Sequence, residues 1–158
     1  MGVTQLQGGY QDGELPLNMT DSAQGVHPYY GGQPATIDAN GVRLALVADE
    51  TAIIGVFKNS SYQDRQNGNA TILGGVCRLK FINGSGSADN TDPNGNVIEG
   101  APYDTTITFN PGDKIYVSAA GLWTNVSGGA GTAKGIVIKG QNTSDDSVEV
   151  YFMPVVES

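Results

Sequence analysis

The sequence predicts an all-β fold, a small β-barrel or β-sandwich of short antiparallel strands, and three observations lead there. Apolar residues alternate in short runs and do not recur at helical spacing over any long window. The runs are separated by turn formers, for the chain has 23 glycines and 7 prolines and is rich in Asn, Ser and Thr throughout. Charged residues make up only 15%, which suits poorly the solvent faces of long amphipathic helices, and no stretch reads as a helix. A length of 158 residues supports one good core.

Residues 1–31 hold Gly8-Gly9, Asp12-Gly13, Pro16, Gly25 and Pro28 with apolar side chains too scattered for either periodicity. They read as an extended N-terminal arm that lies along a neighbouring subunit. The β domain follows over 32–158, and it contains an echo at a spacing of 80 residues. Residues 32–58 (GQPATIDANGVRLALVADETAIIGVFK) align without a gap on 112–138 (GDKIYVSAAGLWTNVSGGAGTAKGIVI). Gly32, Ala39, Gly41 and Gly55 meet Gly112, Ala119, Gly121 and Gly135, and each copy reads as strand, tight turn, strand, loop, strand. Between the copies, 59–68 is a polar loop, 70–73 and 76–82 are two strand candidates, and 83–100 is a long loop. The stretch 59–100 is thus a long inserted loop region, an insertion or a second lobe. Residues 102–109 alternate as a further strand. After the second copy come a polar turn at 141–146 and a closing strand at 147–153 before Pro154.

Composition narrows the functional classes. Eight basic residues stand against 16 acidic ones, a net charge of −8, so no basic field neutralises phosphates and no direct nucleic-acid binding is expected. A single cysteine, Cys77, leaves no intrachain disulfide and no thiolate cluster. No basic start leads into an apolar run in 1–31, and no apolar window is long enough to span a bilayer, so neither Sec export nor a membrane partner is expected. Six Asn-X-Ser/Thr sequons, at Asn18, Asn59, Asn69, Asn83, Asn125 and Asn142, read as turn and edge chemistry.

Candidate chemistry is sparse. The one histidine, His27, lies in the Gly- and Pro-containing arm and reads as an interface or solvent residue. Cys77 alternates within a strand and reads as a small core filler. Asn90, Asp92, Asn94 and Gly95 match the first half of an EF-hand loop, but the position that needs a bidentate Glu is Ala101, so a solvated turn is preferred to a calcium site at 89–99. The glycine clusters at 74–75 and 128–131 lie between strands and read as turns. Asp104, Asp113, Asp145, Asp146 and Glu149 are carboxylates that nothing in the sequence sets at a glycosidase separation. No cofactor is expected, and the chain is expected not to be an enzyme. Among the aromatics, Tyr116, Phe109 and Phe152 read as core, while Tyr29, Tyr30 and Trp123 are candidates for core or for subunit contact, with His27 beside them.

PGDKIYVSAAGLWTN at 111–125, KGIVIK at 134–139 and VEVYF at 148–152 together resemble the small β-barrel of tailed-bacteriophage capsid decoration, or cement, proteins. The pattern is a Gly-Asp start, a strand, a Gly turn, a strand, Gly before apolar residues, and a closing strand. FKNS at 57–60 and NGNAT at 67–71 are similar to stretches of phage structural proteins. The resemblance implies a virion protein made in the host cytoplasm that binds the capsid exterior, partners the major capsid protein, forms a homo-oligomer, commonly a trimer, and cements capsomers. A phage fibre or carbohydrate-binding module using Trp123, Tyr29 and Tyr30, and a tail or minor capsid subunit, are the competing expectations.

Overall fold

The computed structural model of the chain describes residues 2–19, 26–128, 131–142, 144 and 146–153. Gly25, Gly129, Ala130, Asp145, Pro154 and the Thr143 of the last sequon, all used in reading the sequence, lie outside the described residues. An antiparallel, curled sheet forms a half-barrel, and its strands are β1 (Val3–Pro16), β2 (Pro34–Asp38), β3 (Gly41–Leu44), β4 (Gly55–Phe57), β5 (Asn69–Ile82), β6 (Lys114–Val117), β7 (Trp123–Thr124), β8 (Gly135–Asn142) and β9 (Ser147–Phe152). The all-β small-barrel class predicted above is the class observed.

The 80-residue echo is a structural repeat. In both copies the first strand pairs with the second on one side and the third on the other, giving β3-β2-β4 and β7-β6-β8. Ala35 faces Gly55 as Ile115 faces Gly135. Gly32 N–H donates to Phe57 O at 2.7 Å and Gly112 N–H to Val137 O at 2.8 Å; Ile54 N–H donates to Ala35 O at 2.9 Å and Lys134 N–H to Ile115 O at 2.8 Å. Even the entry turns correspond, since Gln33 Oε1 accepts from Tyr30 N–H and Asp113 Oδ2 from Asn110 N–H, at 2.6 and 2.9 Å. The copies part at the hairpin, where Ile37 faces Val42 but Val117 faces Trp123, one residue further on.

β5 joins the two copies. β1 runs along one of its edges from Asn69 to Phe81. The other edge is shared end to end, with β4 opposite Ile72 and Leu73, and β9 opposite Cys77 to Ile82. Gly74-Gly75 falls between those two stretches, and Gly75 has φ +75°, a backbone conformation that side chains disfavour. The two strand candidates at 70–73 and 76–82 are therefore one strand, bent where the sheet divides. The stretch 59–100 contains this central strand as well as a one-turn helix, α1 (Ser61–Arg65), within what reads as a polar loop.

The described start of the expected arm is a strand of its own domain's sheet, because β1 finds its hydrogen-bonding partner in β5. Register shifts at Gln5/Gln7, Gly8/Tyr10 and Asp12/Leu15, with Gly8 and Gly9 at positive φ, conceal the strand from a period-two reading and blunt its outer edge. The strand expected at 102–109 is also absent. Asp104 Oδ1 accepts from the Thr106 amide at 2.9 Å and its hydroxyl at 2.6 Å, a local turn that competes with ladder bonds and leaves one isolated bridge, Tyr103 to Trp123.

Two apolar clusters result. The main one surrounds Trp123, with Phe81 and Phe152 at ring distances of 5.8 and 5.5 Å and Ile115, Val117, Leu79 and Val150 about them. The second covers the opposite face of β5's first half, where Tyr29 stacks on Phe57 at 3.5 Å over Ile72, Ala70 and Val42. Cys77 is a core filler as read, and burial raises its thiol pKa.

Candidate functional site

The residues singled out in the sequence divide among different surroundings. Trp123 is fully buried, and its indole N–H donates to Gly32 O at 2.8 Å while Gln33 Nε2 donates to Gly121 O at 2.8 Å, so these two bonds tie the repeats together. Tyr29 is buried in the second cluster, and its hydroxyl donates to Asp64 Oδ2 at 2.7 Å. Burial, then that carboxylate, pushes the phenol pKa up; Asp64 is itself raised by burial, against its bonds from Tyr29 and Asn59. Tyr30 is half-buried with its ring over Gly100, where an added Cβ would lie 2.5 Å from it. Of the three core assignments, Phe109 and Phe152 are buried and Tyr116 is half-buried.

His27 and the calcium-like loop meet. His27 Nε2 lies 2.8 Å from Asp92 Oδ2, and the ring stands edge-on to Tyr62 at 5.3 Å. The Asp92 carboxylate also accepts from the amides of Asn94 and Asn96, each at 2.9 Å, and from the Asn96 side chain at 3.1 Å. Its oxygens therefore serve as the hub of a closed turn, and the Asp92 side chain is itself largely covered. The His27 bond, followed by the Asn96 and Asn94 bonds, holds the Asp92 carboxyl well below the usual carboxylate range despite some desolvation. A depressed folded-state pKa means that this stabilisation is complete above the unfolded value of 3.8 and is lost as pH falls from there through the folded value. The expected result is that wild type loses more stability than Asp92→Asn between pH 4 and lower pH, read from urea midpoints at each pH. Parallel pH profiles would remove the His27–Asp92 contact as the cause.

The described carboxylates weighed for hydrolysis are occupied locally. Asp113 accepts from Asn110 N–H and Asn125 Nδ2, Asp146 from Asn83 Nδ2 and Tyr103 Oη, and Glu149 lies between Arg78 and Lys139. A polar hollow of about 210 Å³ is lined by Glu14, Asn59, Gln63, Asp64, Asn67 and Asn69 among others. Among the described residues no aromatic ring lines it to offer the stacking platform that sugars use.

The feature missed in reading the sequence is the outer face of the sheet. Cys77, Leu79 and Phe81 point inward from β5, as do Val148, Val150 and Phe152 from β9, so the intervening residues face outward. Several of them are apolar: Val76 is 54% exposed, and Tyr151 and Ile136 are each 41% exposed. Ile136 pairs with Tyr151, and Val76, Tyr151, Arg78, Gln7 and Gly8 line one shallow groove of about 220 Å³. The ring of Tyr10 lies across Gly74 and Gly75 beside it. The signal was available at the positions of 76–82 and 147–153 where strict alternation calls for a polar residue, and Val76, Tyr151 and Met153 stand there instead. No protein-family model matches this chain, and no curated protein matches it either.

Proposed function

We propose that the chain is a non-catalytic virion structural protein that binds the outer surface of a tailed-phage capsid and cements neighbouring capsomers, with the major capsid protein as partner and a homo-oligomer, commonly a trimer, as the bound form. The observation that supports this reading is the placement of the resembling segments. The runs at 111–125, 134–139 and 148–152 contribute β6, β7, β8 and β9, which lie side by side in one half-barrel. The carbohydrate reading loses two of its three rings, because Tyr29 and Trp123 are buried.

The test mixes purified protein with expanded shells of the encoding phage that lack it. Saturable binding with a higher rupture temperature is expected, because many modest contacts repeated over a symmetric shell sum to a large stabilisation. Failure to bind any shell rejects the reading. Assembly into rings or tubes without a shell would favour a tail subunit.

A further inference from the structure

The outer face of the half-barrel is basic on an acidic chain. Along one row across the sheet stand Lys114 on β6, Ile136 on β8, Tyr151 on β9, Arg78 on β5 and Gln7 on β1, each register-paired with the next. The adjoining row carries Lys139, Glu149 and Lys80. Among the described residues these two rows hold four of the chain's eight cations and one of its 16 carboxylates. Glu149 is contacted by Arg78 at 3.5 Å and Lys139 at 3.3 Å, and Lys139 remains 70% exposed, so one carboxylate serves two cations. Within the same face lie Val76, Tyr151 and Ile136, with Tyr10 beside the groove, all more than a third exposed.

Exposed apolar side chains gathered on one sheet face mark a surface that another protein covers. The surrounding charge states what kind. With most of the carboxylates lying elsewhere, an acidic partner is attracted to this face more than to the rest of the surface, which favours one orientation. We infer that the β1–β5–β9–β8–β6 outer face is the shell-binding face, and that it seats on an acidic protein surface with an apolar centre. This rests on the capsid reading above and adds to it which side meets the shell.

Binding to expanded shells lacking the protein is measured across a salt series for wild type, for Arg78→Glu/Lys114→Glu, for Val76→Ser/Tyr151→Ser, and for Ile37→Ser on β2 as a control. Circular dichroism and urea midpoints verify that each is folded. Reductive methylation of Lys114 and Lys139 in wild type, free and bound, reads the face without any substitution. The expected result is wild-type binding that weakens with salt, a loss of about tenfold or more in both double variants, an unchanged control, and protection of both lysines on the shell. Wild-type binding with undiminished double variants and reactive lysines overturns the face assignment alone, whereas no wild-type binding overturns the capsid reading and the inference with it. Two further results overturn the assigned partner: wild-type self-association in sedimentation that the double variants abolish, or binding of a single-stranded oligonucleotide that depends on the same residues.

Discussion

Replacing Trp123 with alanine is expected to cost about 3–5 kcal/mol of unfolding free energy, the range for deleting a buried aromatic from a close-packed core. The side chain is fully buried between Phe81 and Phe152, and the change also removes the donor to Gly32 O. A typical domain has roughly 5–15 kcal/mol in total, so the variant would sit near the edge of folding. Trp123 is the chain's one tryptophan, so circular dichroism in urea must replace fluorescence as the readout. Trp123→Phe separates packing from hydrogen bonding. It keeps an aromatic ring but leaves the Gly32 carbonyl without that donor, for an expected cost of about 1–3 kcal/mol. A loss below about 1 kcal/mol for the alanine variant would contradict a core built around this residue.

Gly55→Ala and Gly135→Ala are expected to destabilise the protein by similar amounts, because the two glycines occupy equivalent places in the repeat. A Cβ at Gly55 would lie 2.3 Å from Leu73 O, and one at Gly135 would lie 2.3 Å from Tyr151 O. Each carbonyl belongs to the strand paired with the glycine's own, β5 or β9, so relief requires moving a hydrogen-bonded backbone rather than a flexible side chain. Overpacking of this kind costs about 1–3 kcal/mol, and rigid backbone places these two at the upper end. Gly86→Ala is the comparison, since nothing lies within 4 Å of the added atom and the expected change is close to zero. Urea denaturation of the three variants decides the matter. A tolerant Gly135 with an intolerant Gly55 would show that the copies are alike in topology but not in packing.

What was legible in the sequence was whatever local chemistry determines. The glycines at 32, 41 and 55 and their partners 80 residues on mark places where backbone geometry restricts the choice, and β2 to β4 and β6 to β8 follow from them. Misreadings arose where a non-local partner decides, or where a local side-chain bond displaces the ladder. β1 looks like an arm because its bulges break the alternation, and only the long edge of β5 makes it a strand. Residues 102–109 alternate as a strand should, yet Asp104 captures the Thr106 amide, and Tyr103 and Phe109 are buried without a ladder. Tyr29 and Trp123 were equally suited to core and contact by composition. Their burial depends on Phe57, Phe81 and Phe152, residues distant in sequence that only the folded sheet brings to them.

The edges of β5 also set a timetable. Its neighbours include β1 and β9, the first and last strands described, with Val3 opposite Phe81 and Cys77 opposite Phe152. Each pairing closes a long stretch of chain before any reward is collected, the situation that places all-β domains among the slow folders, in milliseconds to seconds. During synthesis β5 can recruit β1 and β4 early, but the edge from Cys77 to Ile82 stays bare until residue 152 has been made and released. A nascent chain of this protein therefore carries an open, partly apolar strand edge from the emergence of residue 82 until that of residue 152, and the sheet closes only after translation has passed β9.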